Sequence, residues 1–87
     1  MIKKENYDKF IFKGSLALES YFDDNNDEYL ELFDKFNERL KKYRSKTDKT
    51  TTDSEYIVNE LMALIEKLGK EKFIIYDDGD VEYIKKE

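Results

Sequence analysis

The sequence predicts an α+β fold: a small single domain with about three helices followed by a C-terminal β-hairpin. Two observations carry this reading. Apolar residues recur at every third or fourth position over 26–45 and again over 53–68, the period of an amphipathic helix. Beyond them, two runs rich in Ile, Tyr and Val flank Asp78-Gly79, a hairpin-turn pair. The chain of 87 residues is expected to fold as one domain, 1–87. A chain this short buries only about 60–65% of its unfolded surface. Its 39% apolar content, with seven Tyr and six Phe, therefore furnishes one core and not two.

Taken in order, the N-terminal third admits two readings. Tyr7, Phe10, Ile11, Leu18, Tyr21 and Phe22 suit one helix from about Asn6 to Asp23, with Gly14 as a tolerated weak point. Alternatively, Lys9–Lys13 forms a short strand and Ser15 caps a helix over Leu16–Phe22. The next helix runs from about Asn26 to Ser45, with Asn25 and Glu28 as its N-cap pair. Tyr29, Phe33, Phe36, Leu40 and Tyr43 form its apolar stripe, which Leu32 widens. Residues 45–52 lack any apolar anchor and read as a polar loop.

The third helix is expected over Asp53–Leu68, opened by a Thr52-x-x-Glu55 capping box and closed by Gly69 in a left-handed conformation. Ile57, Leu61, Leu64 and Leu68 form its main stripe, with Val58, Met62 and Ile65 beside it. A two-residue type I′ turn at Asp78-Gly79 would pair Tyr76 with Val81 and Ile74 with Tyr83, giving one apolar face to lay on the last helix. The order of elements also resembles a winged helix.

Composition excludes several function classes. Without Cys there are no disulfides, thiolate zinc sites or thiol nucleophiles, and without His the usual general base is missing. Carboxylates alone can do acid–base work only in a pocket that raises one pKa, so the protein is expected not to be an enzyme. No run approaches the roughly 18–20 apolar residues of a membrane span, and no apolar block follows the N-terminal lysines. A cytoplasmic location is expected, that of the host cell if the protein is phage-encoded, with no membrane partner.

Charge is laid out in blocks. The net charge is −5, yet residues 19–38 carry eight acids against one Lys, and residues 39–49 carry six bases against one acid. Asp27, Glu31, Asp34 and Glu38, spaced 4, 3 and 4, would form a strip about 60° wide opposite the apolar stripe. At 1.5 Å per residue that row is about 16 Å long. It can imitate a phosphate backbone and attract a groove lined with Arg and Lys. A dipole-matched, solvated face is the competing account, since Glu31–Lys35 and Glu38–Lys42 are favourable i,i+4 pairs. Asp77, Asp78 and Asp80 on the hairpin tip form a second acidic candidate. The basic block from Arg39 to Lys49 sits at a helix C-terminus, where cations are expected in any case. With net acidity, direct nucleic-acid binding is disfavoured.

The expected function is that of a small acidic inhibitor. It would occupy the basic groove, nucleic-acid-binding or catalytic, of a larger protein such as a nuclease. In size, acidity and tyrosine content the chain resembles anti-CRISPR, anti-restriction and nuclease-immunity proteins. A winged-helix-like transcriptional regulator or antirepressor is one alternative. A helical scaffold module dimerising through the Tyr/Phe stripe is another.

No metal or cofactor is expected. Asp23, Asn25 and Asp27 are spaced like the opening of a calcium loop, but its sixth position is Glu28 rather than Gly and its twelfth is Asp34 rather than Glu. EDTA should leave the thermal midpoint of the protein unchanged. A fall of several degrees, reversed by calcium, would restore the loop as a metal site.

Overall fold

The computed structural model describes residues 2–85. Helix α1 spans Tyr7–Asp24, α2 Leu30–Ser45 and α3 Thr51–Leu68. A two-stranded antiparallel hairpin follows, with β1 at Phe73–Ile75 and β2 at Val81–Tyr83. Single 3₁₀ turns at Lys4–Asn6 and Lys70–Lys72 lead into α1 and β1. Helix α1 is central: α3 packs against one side of it and β2 against another, while α2 covers α3.

The N-terminal third is one helix and not a strand followed by a helix. Phe10, Ile11, Gly14, Ala17, Leu18 and Tyr21 are all buried on one face, a spacing that a period-2 strand cannot supply. Ser15 is no cap, because its hydroxyl donates back to the Ile11 carbonyl at 2.6 Å, one turn earlier in the same helix. Gly14 is more than a weak point. A Cβ there would lie 2.5 Å from Leu61 Cδ2, and Leu61 is fully buried, so the glycine lets α1 and α3 approach.

Helix α2 begins at Leu30, one turn later than the periodicity suggests. Asn25 does not cap it: its side-chain amide donates to the Tyr21 carbonyl at 2.8 Å and to the Tyr83 hydroxyl at 3.0 Å. Asp27 instead folds the connector, its Oδ1 accepting the Tyr29 N–H at 2.9 Å. Phe33, Phe36, Leu40 and Tyr43 are buried as the stripe requires, and Tyr29 and Leu32 are half-buried at its margin. The stripe is thus used up inside the domain. Phe22 of α1 stacks on Phe33 at 5.0 Å, and the Tyr43 and Ser54 hydroxyls share a hydrogen bond at 2.7 Å.

Helix α3 starts at Thr51, and its capping box is Thr50 with Asp53 rather than Thr52 with Glu55. The Thr50 hydroxyl accepts the Asp53 N–H at 3.2 Å and the Asp53 carboxylate accepts the Thr50 N–H at 3.1 Å. Asp53 also holds Lys46 at 3.1 Å, and the polar loop is trimmed to 46–50. Gly69 has a positive φ of 118°, but its ψ of 108° lies outside the left-handed helical region. Ile57, Val58, Leu61, Leu64, Ile65 and Leu68 are buried.

The hairpin differs from expectation in both register and seat. A type I′ turn needs φ > 0 at both central residues, and among the described residues only glycines have positive φ, so Asp78 does not. The chain uses a three-residue loop, Asp77–Gly79. The Tyr76 carbonyl accepts the Gly79 N–H at 3.0 Å, the Tyr76 N–H donates to the Asp80 carbonyl at 2.9 Å, and Gly79 has φ of 96°. Pairing shifts by one residue, to Phe73 with Tyr83, Ile74 with Glu82 and Ile75 with Val81. The slip inverts β1: Phe73 and Ile75 turn inward with Val81 and Tyr83, and Ile74 and Tyr76 turn outward. The seat is α1, not the last helix. Gly79 lies against the start of α1, where a Cβ would meet the Asn6 carbonyl oxygen at 2.8 Å.

The Gly14 contact has a measurable consequence. Gly14→Ala should destabilise the fold by about 1–2 kcal/mol, because overpacking against Leu61 outweighs the gain in helix propensity. Combined with Leu61→Ala it should cost less than the two single losses added, by about 1 kcal/mol. Urea unfolding of the four proteins measures both. Strict additivity would mean that Gly14 and Leu61 do not constrain each other.

Candidate functional site

The exposed face of α2 carries the acidic residues singled out above, minus one. Glu31, Asp34 and Glu38 are exposed and lie opposite the buried stripe. Among the described residues none of the three closes an ion pair, and neither Glu31–Lys35 nor Glu38–Lys42 forms. Arg39, the first base after them, turns aside to α3, where its Nε donates to the Glu60 carboxylate at 2.6 and 2.8 Å. The strip is therefore left with three carboxylates, about 10 Å from first to last at 1.5 Å per residue, and only Lys35 among them.

Asp27 is not part of that strip. It lies in the connector before α2, half-buried, and accepts the Tyr21 hydroxyl on Oδ2 at 2.6 Å. This bond and the Tyr29 N–H hold its carboxyl below the usual range. Burial, and then the same bond to Asp27, push the Tyr21 phenol up to about 12. Lys72 from the start of the hairpin sits 5.3 Å over the Tyr21 ring, and Tyr83 packs edge-on to it with centroids 5.6 Å apart.

The hairpin tip is also divided. Asp78 pairs with Lys9 of α1 at 2.8 Å and accepts the Asp80 N–H at 3.1 Å, and both contacts lower its pKa. Asp80 accepts the Val81 N–H at 2.9 Å. Asp77 is exposed and, among the described residues, has no ion-pair partner. Of the seven acidic candidates, Glu31, Asp34, Glu38 and Asp77 remain open to a partner, and Asp27, Asp78 and Asp80 are engaged within the fold. The calcium-like spacing does not form a loop, since Asp23 ends in α1 and Asp34 lies in α2. Among the described residues no group of three or more acidic side chains converges as a metal site would require.

Sequence reasoning missed two exposed apolar sets. Phe12 and Leu16 on α1 stand outside its buried face, as their positions relative to Phe10, Ile11 and Leu18 could have indicated. Ile74 and Tyr76 on the outer hairpin face became visible only with the register, where they join Ile84. Among the described residues no helix is long and apolar enough to cross a membrane.

These features define a small single-domain α+β protein whose second helix presents three open carboxylates. No family model, curated protein or solved structure matches the chain.

The Tyr21–Asp27 bond should shape the pH response at both extremes. Asp27 is depressed in the folded state, so its contribution is complete above the unfolded carboxyl value of about 3.9 and is lost as pH falls through the folded value. Asp53 and Asp78 act in the same direction. Asp27→Asn should therefore flatten the acid limb of stability against pH, measured by urea midpoints. Tyr21 acts at the other extreme, its contribution complete below about 10 and lost as pH rises through about 12. Glu82, accepting the Tyr76 hydroxyl, also raises that phenol, so Tyr21→Phe should remove one late-ionising phenol from the tyrosinate absorbance titration and leave that of Tyr76.

Proposed function

We propose that this protein is a stoichiometric binder. It seats the outer face of α2 in a cationic groove of a larger protein and blocks what that groove would otherwise hold. The observation that supports this reading is the state of Glu31, Asp34 and Glu38: three exposed carboxylates on one face, none of which closes an ion pair among the described residues. Elsewhere Lys9, Arg39, Lys46 and Lys85 pair with Asp78, Glu60, Asp53 and Asp24. Like charges at i,i+3 and i,i+4 cost an isolated helix a few tenths of a kcal/mol, and a cationic groove would reverse that cost. The groove of a nuclease or another nucleic-acid-binding protein fits this charge pattern, which is the basis of an inhibitor, anti-restriction, anti-CRISPR or immunity role. Binding rather than catalysis suits carboxylates that stand in water on a convex face. The regulator alternative is less favoured because α3 would face DNA with exposed Glu55 and Glu66.

The test begins with a tagged pull-down at about 50 mM salt, where surface charges are least screened. The recovered partner is then titrated with the wild type and with the triple variant Glu31→Gln, Asp34→Asn, Glu38→Gln. The variant should fold as before, because the apolar stripe is untouched. Its association rate should fall at least tenfold at low salt, and the steep salt dependence of the wild type should flatten. Asp77→Asn serves as the control for the hairpin tip. Equal affinities for wild type and triple variant between about 50 and 500 mM salt would overturn the proposal.

A further inference from the structure

Helix α1 carries a second, unrelated surface. At 100° per residue, Lys9, Phe12, Leu16, Glu19 and Asp23 fall within about 80° on its outer side. All five are exposed, Phe12 at 52% and Leu16 at 44%. The apolar pair sits at the centre of the row, with Lys9 one turn before it and Glu19 one turn after. Shallow depressions flank the row. Arg44 and Lys49 outnumber Asp8 in the one beside its N-terminal half. Asp23, Asp24, Asp80 and Glu82 outnumber Lys13 and Lys85 in the other, at its C-terminal half. The face is thus basic at one end, apolar in the middle and acidic at the other end.

From this pattern we propose that α1 docks on α1 of a second copy, antiparallel, about a twofold axis that crosses the outer face midway between Phe12 and Leu16. In that register Phe12 of one copy faces Leu16 of the other, twice, and Lys9 faces Glu19, twice. A twofold interface must be self-complementary. A row that is basic before its midpoint and acidic after it meets that condition only when antiparallel, since the parallel arrangement opposes like charges. Phe12 and Leu16 pack at i,i+4 on each helix and present one ridge, which the same pair on the other copy extends. Glu19 has no ion-pair partner among the described residues, and the Lys9 side chain stays 43% exposed although it touches Asp78. Both remain able to reach across the axis. The α2 faces do not take part, so a dimer would carry two copies of the acidic strip.

Sedimentation equilibrium of the wild type from about 5 to 500 µM should show a reversible monomer–dimer equilibrium in that range, as befits a small interface. Leu16→Glu and, separately, Glu19→Lys should each raise the dimer Kd at least tenfold while far-UV circular dichroism and the urea midpoint stay near wild type. The chain has no cysteine, so engineered thiols report the register directly. Under mild oxidation a mixture of Phe12→Cys and Leu16→Cys proteins should cross-link as the mixed dimer in preference to either like pair. A wild type that stays monomeric throughout, a Leu16→Glu protein whose Kd lies within twofold of wild type, or cross-linking without preference for the mixed pair would each overturn the proposal.

Discussion

The hydrogen bond from the Tyr21 hydroxyl to the Asp27 carboxylate, 2.6 Å long, sits where three parts of the chain converge. Tyr21 is a buried residue of α1, Asp27 belongs to the connector, and the hairpin reaches the same ring through Lys72, Phe73 and Tyr83. Burying a phenol demands a partner for its proton, and a charge-assisted bond supplies one of the stronger kinds. The other carboxylate oxygen, occupied by the Tyr29 N–H, then sets the start of α2. Asn25 completes the junction by donating to both the Tyr21 carbonyl and the Tyr83 hydroxyl. A single aromatic residue thereby fixes where one helix ends, where the next begins and where the far end of the chain rests.

Two glycines set the remaining distances. Gly14 lets Leu61 of α3 press on the backbone of α1, and Gly79 lets the hairpin loop close on Asn6. In a domain with one small core, such contacts matter because each removes a gap that no spare side chain is available to fill. The hairpin contributes little as an isolated pair of three-residue strands. Its stability comes from α1, onto which it lays Phe73, Ile75, Val81 and Tyr83.

Charge is arranged so that folding consumes some groups and leaves others. Asp27, Asp53, Asp78 and Glu60 are tied to hydroxyl, amide or cationic partners, most of them between elements. The α2 carboxylates and most of the outer face of α1, where only Lys9 is paired, are not consumed, and they differ in kind. The first has one sign and suits a foreign cationic surface. The second changes sign about an apolar centre and suits its own copy.

The helices were legible in the sequence because their signal is local. Phe33, Phe36, Leu40 and Tyr43, like Ile57, Leu61, Leu64 and Leu68, line up by backbone geometry alone, and all are buried. The three-helix and hairpin order and the polar loop follow from the same periodicity and its interruptions. Caps and ends were read a turn or less out of place, since Asn25, Thr52 and Thr50 are chemically similar candidates and distant residues choose among them. Tyr83 claims Asn25 from 58 positions away, and Asp53, which caps with Thr50, also meets Lys46 from the end of α2. The hairpin register is also a tertiary decision: Asp78-Gly79 permits a two- or a three-residue loop, and packing of Gly79 on Asn6 accompanies the second. The acidic row was half legible for the same reason. Glu31, Asp34 and Glu38 share a face wherever the helix exists, but membership of Asp27 depended on a phenol on another helix, and no spacing within residues 27–38 encodes that.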